Sequence, residues 1–180
     1  MTCYIGSKVE QIGARAFTSE NVRCWRFIPT CRFTAAEFTA WCFFGETAQL
    51  RVGIYDGIWD TVIFPDQWMP NNLLTQTDPF GSETGDYTYF TEPFQTPVVL
   101  LPNVRYWIAI QGSQGESADW ANIRQALSGT SWKSTYDNTT TWAGGFPDPW
   151  TRNINHQDAP IMTAWVEGFR TSPFAAGHGT

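Results

Sequence analysis

Lysine is almost missing from this chain. Only Lys8 and Lys133 occur among 180 residues, and 11 lysines and arginines stand against 17 aspartates and glutamates, for a formal net charge of −6. Nucleic-acid affinity rests on clustered cations that neutralise phosphates, so no nucleic-acid partner is expected. Long apolar runs are missing too. No stretch approaches the ~18 consecutive apolar residues of a membrane helix, and no membrane contact is expected. The first ten residues lack a basic segment followed by an apolar one, so they do not read as a signal peptide. A soluble product made in a cytoplasm is the expectation.

Histidine is limited to His156 and His178, and the four cysteines, at 3, 24, 31 and 42, form no Cys-x-x-Cys pair. That spacing speaks against a zinc site. Buried thiols are the plain expectation. A bridge such as Cys24 to Cys42 would need an oxidising compartment, and four cysteines allow three complete pairings. Helical periodicity is absent as well: no 3.6-residue pattern lasts three turns, and the best attempt, Asp119 to Leu127, is short.

What is present is alternation. Leu50, Val52 and Ile54 share one side of a strand, and Arg51, Gly53 and Tyr55 the other. Val104, Tyr106, Ile108 and Ile110 alternate in the same way with Arg105, Trp107, Ala109 and Gln111. A period of two marks a half-buried strand. Similar runs are read at 22–28, 36–43, 61–64, 68–75, 87–90, 98–101, 121–126, 131–136, 139–142 and 161–169. In the second of these, Phe38, Ala40 and Cys42 share a face. Asp56-Gly57 reads as the turn that ends the strand begun at Leu50, and the run from Gly144 to Pro149 as a loop. Ten tryptophans and thirteen phenylalanines suit packed, pleated surfaces.

A chain of this length can bury roughly 70% of its extended-chain surface. It is expected to form one domain: an all-β, antiparallel β-sandwich over 21–170, with an irregular N-terminal arm at 1–20 and a C-terminal tail at 171–180.

The order of these segments resembles a jelly-roll β-sandwich module found in bacterial surface proteins and in bacteriophage structural proteins. The resemblance rests on four elements: Leu50 to Gly57, Tyr87 to Phe90, the Pro97 to Pro102 segment, and Tyr106 to Ala109. It covers about residues 34 to 170, and Asn103-Val104-Arg105 stands where the pattern often has glycine. It implies an adhesive, sugar-binding or architectural part, and a fold does not by itself fix a function.

Catalytic constellations are not evident. His156 with Asp158 in a polar loop lacks a positioned partner, and no carboxylate pair is nominated for sugar hydrolysis. Asp56 and Asp60 flank Gly57, where a turn aspartate bonding its own backbone is a simpler reading than a cation site. Asn138-Thr139-Thr140 is formally a glycosylation sequon. Trp25, Trp41, Trp107 and Trp165 lie within strands, and core packing is the sufficient reading for most of them.

Trp59, Trp120, Trp132, Trp142 and Trp150, in or near loops, are the candidates to contact a glycan or a protein. Trp142 and Trp150, bracketing the Gly-Pro loop, are the best of them, unless they fold back to cover the sandwich. The expectation is a non-enzymatic bacteriophage virion protein of the capsid-decoration, cement or fibre type. It would need no cofactor or metal, would form a homo-oligomer, and would touch other capsid or tail subunits through its arms. The alternative is a carbohydrate-binding module.

Overall fold

Alternating strands can hide only one face each by pairing edge to edge, so they must stack as layers. A computed structural model shows how this chain does so. It describes residues 3–19, 22–60, 67–81, 84, 86–113, 121–125, 132–137, 141–150, 157–159 and 162–169. Twelve strands occur among them: β1 (Tyr4–Ser7), β2 (Gly13–Phe17), β3 (Val22–Phe27), β4 (Phe33–Phe44), β5 (Leu50–Asp60), β6 (Gln67–Gln76), β7 (Thr88–Leu100), β8 (Tyr106–Gly112), β9 (Ala121–Gln125), β10 (Trp132–Asp137), β11 (Gln157–Ala159) and β12 (Ala164–Phe169). The one helical element among the described residues is a 3₁₀ turn at Trp142–Gly144, where a short strand was expected.

The pairing of the middle strands follows a single rule. β5 pairs with β6, β4 with β7, β3 with β8, and β2 with β9, all antiparallel. The chain is thus one long double ribbon, rolled so that β5 also meets β8 and β4 also meets β9. Rolling yields two stacked sheets with the strand order of a jelly roll. Sheet I contains β2-β9-β4-β7, and β12 lies beside β4 with β1 outside it. Sheet II contains β3-β8-β5-β6, extended beyond β3 by β10 and β11.

Several expectations need correction. Residues 3–19 of the expected N-terminal arm are not irregular, because β1 and β2 complete sheet I and Cys3, Ile5 and Phe17 are buried in the core. Residues 171–180, like 61–64, lie outside the described residues. The runs at 87–90 and 98–101 are one strand, β7, which carries Pro93 and Pro97. An edge strand tolerates them because its outer N–H groups need no ladder partner.

Asp56-Gly57 does not turn either: β5 continues to Asp60 with irregular register on both sides of Tyr55. Gly57 is needed for close approach instead, since a Cβ there would lie 3.0 Å from the Arg105 carbonyl oxygen. Asp56 bonds across the hairpin rather than to its own turn. It accepts from the Asn72 backbone N–H at 2.7 Å and from the Asn72 side chain at 3.0 Å. The left-handed turn allowed for Asn103 is observed, with φ 64°.

Between the sheets, Phe38, Cys42 and Phe44 of β4 meet Trp25 of β3, Val52 and Ile54 of β5 and Ile108 and Ile110 of β8. A second core lies on the opposite face of sheet II, formed by Val22, Cys24, Tyr55, Met69, Trp107 and Ala109 with Phe146 and Trp150 laid over them. Strand β8 is therefore buried along its whole length, not half-buried as alternation alone suggests.

The two cores also settle the cysteines. Cys24 and Cys42 point into different cores, on opposite faces of sheet II, so they cannot bridge. The bond forms instead between Cys3 and Cys31, whose Cα atoms are 6.3 Å apart, and it ties the N-terminal segment to the start of β4. Cys24 and Cys42 stay buried as thiols, and burial pushes the Cys42 thiol well above its ordinary pKa. Thiolate is the reactive form. Iodoacetamide should therefore label no cysteine in the native protein, two after denaturation without reductant, and all four once reduced. Mass spectrometry counts the adducts, and rapid native labelling would contradict this burial.

Candidate functional site

The two outer faces of the sandwich are finished differently. Over sheet II runs the segment 141–150, the expected Gly-Pro loop. Phe146 and Trp150 are 7% and 4% exposed, and each pairs edge-on with Tyr55, at 6.3 and 5.3 Å between ring centres. Rings of this kind bury roughly 150–250 Å² each, worth about 4–6 kcal/mol before ordering costs.

Polar contacts fix the segment. The Tyr55 hydroxyl donates to the Pro147 carbonyl at 2.6 Å, Asp148 accepts the Leu73 N–H at 3.0 Å, and the Trp150 N–H donates to the Asn71 carbonyl at 2.7 Å. Arg51 projects from β5 beneath it, donating to Gln111 Oε1 and, at 2.7 Å, to the Trp142 carbonyl. Its guanidinium lies 4.5 Å from the Trp142 ring centre and 5.1 Å from that of Phe146. Burial pushes its pKa below the ordinary value, with Tyr55 acting the other way, yet an arginine remains charged. The rings and neutral oxygens solvate that charge in place of water.

This geometry sorts the candidate tryptophans. Trp150 folds back and belongs to the second core, so it offers no face to a ligand. Trp142 is half-buried against Arg51. Trp59 is 42% exposed, stacked edge-on with Trp68 at 5.6 Å, while Arg105 covers the Trp68 ring at 4.5 Å. Trp132 stands in β10 with its side chain outside the described residues, and Trp120, His156, His178 and Asn138 also lie outside them. The structure does not gather the five candidates into one site.

A cleft of about 180 Å³ between β6 and β7 is lined by Leu73, Leu74, Thr75, Gln76, Gln95 and Thr96. It holds no titratable group and is smaller than the ~300–1,000 Å³ usual for small-molecule pockets.

Sheet I presents the more distinctive surface. In β4, Phe38, Ala40, Cys42 and Phe44 point inward, so Thr39, Trp41 and Phe43 point out. The same rule turns Trp165 outward between Ala164 and Val166, Tyr89 beside Phe90, Arg124 beside Ile123 and Tyr4 beside Ile5. Register places Trp41 directly opposite Tyr89, and Trp165 opposite Thr39.

The rings then form a continuous row. Trp165 to Tyr89 is 5.8 Å between centres, Tyr89 to Trp41 5.9 Å at an interplanar angle of 21°, Trp41 to Tyr87 6.2 Å, and Tyr87 to Phe43 5.8 Å. Lys8 sits 4.9 Å from the Trp165 ring centre and 5.1 Å from that of Tyr4. Arg124 sits 3.7 Å from the ring centre of Tyr87 and 5.4 Å from that of Trp41.

The segment 8–12, which joins β1 to β2, borders this row. It can pass closely there because Gly6 faces Trp165 in register with φ 110°, and a Cβ would lie 2.3 Å from the Ala164 carbonyl oxygen. The Gln11 N–H donates to Thr163 Oγ1 at 2.9 Å, that hydroxyl donates to the Val9 carbonyl at 3.0 Å, and Arg124 donates to the Ile12 carbonyl at 2.6 Å. Lys8 pairs with Glu167, and the Tyr89 hydroxyl donates to Glu10 at 2.9 Å. Desolvation and then Glu10 push the Tyr89 phenol above its ordinary pKa, and desolvation chiefly does so for Tyr87. Both hydroxyls are therefore protonated at neutral pH.

Trp25 and Trp107 are buried as expected, but Trp41 and Trp165 are not core. The signal that finds them is the alternation that already sends Phe38, Ala40 and Cys42 to one face. No protein-family model matches the chain, and no curated protein matches it significantly in sequence.

The contrast between the faces gives a stability test. Trp150→Ala should cost about 3–5 kcal/mol, as for a large aromatic removed from a core. Trp59→Ala should cost about 1 kcal/mol or less, as for an exposed edge-on pair. Urea unfolding measures both, and equal losses would contradict the placement of Trp150.

Proposed function

We propose that the chain is a non-catalytic virion structural protein of a bacteriophage, of the capsid-decoration, cement or fibre type, with the outer face of sheet I turned to solvent as its recognition surface. The observation that carries this reading is the asymmetry of the sandwich. Its own segment 141–150 closes one outer face, while the other displays an unbroken row of partly exposed rings. Contiguous exposed apolar surface of this kind marks interaction sites.

Two further observations support the assignment. The Leu50 to Gly57 and Tyr106 to Ala109 strands resemble those of phage structural modules. The Cys3–Cys31 disulfide suits an oxidising setting such as the outside of a released particle. Because residues 4–17 are engaged within the sheet, attachment to capsid or tail neighbours in a homo-oligomeric assembly passes to the tail at 171–180. A carbohydrate-binding module is the second reading, and the same row of rings favours it.

Purified particles from infected cells, separated on a density gradient and analysed by mass spectrometry, should contain the protein at a fixed stoichiometry to the major capsid or tail subunit. A chain lacking 171–180 should fold but fail to co-purify. Absence of the intact chain from particles would overturn the assignment.

A further inference from the structure

We infer that Arg26 and Arg105, on the outer face of sheet II beside the Trp59–Trp68 pair, form a binding site for a tetrahedral dianion of the phosphate or sulfate class. The site goes beyond the virion assignment and makes no use of the aromatic face of sheet I.

Register brings the two guanidinium groups together. Arg26 of β3 pairs with Trp107 of β8, and Phe27 with Tyr106. Paired residues share a side, and a strand returns to that side at every second residue. Arg105 therefore lies diagonally from Arg26, on the face that carries Trp107, and long side chains reach one another across such a diagonal. Burial, and then the charge of Arg105, push the Arg26 pKa below its ordinary value, yet an arginine stays charged.

Arg105 is held in place by the sheet beneath it. Its guanidinium covers the Trp68 ring at 4.5 Å. Gly57 makes the room, since a Cβ there would lie 3.4 Å from the Trp68 ring and 3.5 Å from Arg105 Cβ. No acceptor within the chain claims the buried Arg105 Nε, which has no hydrogen-bond partner. Both arginines are partly exposed. Ile28, two residues on from Arg26, and Trp59, against Trp68, add apolar surface that is 46% and 42% exposed.

The counter-charge is missing. Neither arginine has a carboxylate partner among the described residues, where the ion pair is that of Lys8 with Glu167. Asp56, beside Gly57, is already engaged, both of its oxygens accepting from Asn72. On the far side of β3, Lys133 and Asp158 stand opposite one another in register. A chain with 17 acidic residues against 11 basic ones thus leaves two like charges side by side, an arrangement that repels. Guanidinium forks match oxyanions bidentately. A ligand with two negative charges compensates the pair, whereas a single carboxylate leaves one cation over.

The test uses the isolated full chain at mildly alkaline pH, where phosphate is a dianion, with ionic strength held constant in chloride. Calorimetry and the NMR signals of the arginine Nε–H groups follow titration with inorganic phosphate, sulfate, phenyl phosphate and acetate. Phosphate and sulfate should bind saturably, and acetate about tenfold more weakly or worse. Arg26→Gln and Arg105→Gln should each weaken phosphate binding about tenfold, while Lys8→Gln, on the other sheet, leaves it unchanged. Arg26→Gln keeps the test open if Arg105→Gln disturbs the packing on Trp68.

Tighter binding of phenyl phosphate than of phosphate identifies the anion as a group carried on an apolar body, and equal affinity identifies it as the free ion; either upholds the site. The absence of saturable binding by phosphate and sulfate would overturn the inference. So would affinity indifferent to both arginine variants, or acetate binding as tightly as phosphate. Anion binding is read on the isolated chain and particle membership on the virion, so the two proposals fail separately.

Discussion

Every strand in this protein has two faces, and only one of them can lie between the sheets. That constraint governs the rest. Once the ribbon has rolled through the β5·β6, β4·β7, β3·β8 and β2·β9 pairs, the inward residues are committed to one core. The outward residues of each strand must then find another partner or remain at the surface. Sheet II carries Tyr55, Met69, Trp107 and Ala109 outward, too apolar to leave to water at roughly 25 cal/mol per Å². Segment 141–150 covers them. Sheet I carries rings and polar groups outward, and nothing among the described residues closes over their full extent.

The covering segment depends on polar chemistry inside an apolar layer. A guanidinium beneath it would be destabilising if left unpartnered. Arg51 instead donates to Gln111 and to the Trp142 carbonyl between two aromatic rings, while Gln111 in turn donates to the Ser19 carbonyl at 2.9 Å. A network satisfied in this way specifies one arrangement of the segment over the sheet. The cost of disturbing it falls on fold stability, which is why aromatics in this region are a poor place to seek a binding function.

The aromatic outer face of sheet I was partly legible. The pattern Phe38, Ala40, Cys42 defines the inward side of β4, and its complement, Thr39 and Trp41, follows without further information. What misleads is residue type, because a strand tryptophan is read as core by default. Trp25 and Trp107 justify that default, while Trp41 and Trp165 do not. The tryptophans near loops mislead in the opposite direction, for Trp150 is buried by a segment whose path no local pattern reveals. Cross-strand neighbours such as Tyr89 and Trp165 are separated by 76 positions in sequence, and only pairing through β4 brings them together.

By itself, then, the sequence determined the all-β class, the antiparallel sandwich and most strand positions, since a period of two and turn residues act locally on the backbone. It also determined which residues of a given strand share a side. Only the tertiary structure decided what each side faces. That β1 and β2 complete sheet I, that Cys3 rather than Cys24 bridges, that β8 is buried on both faces, and that one row of rings stays partly exposed are long-range outcomes. They depend on which strands become neighbours, and burial is a property of the assembled layers that no single segment carries.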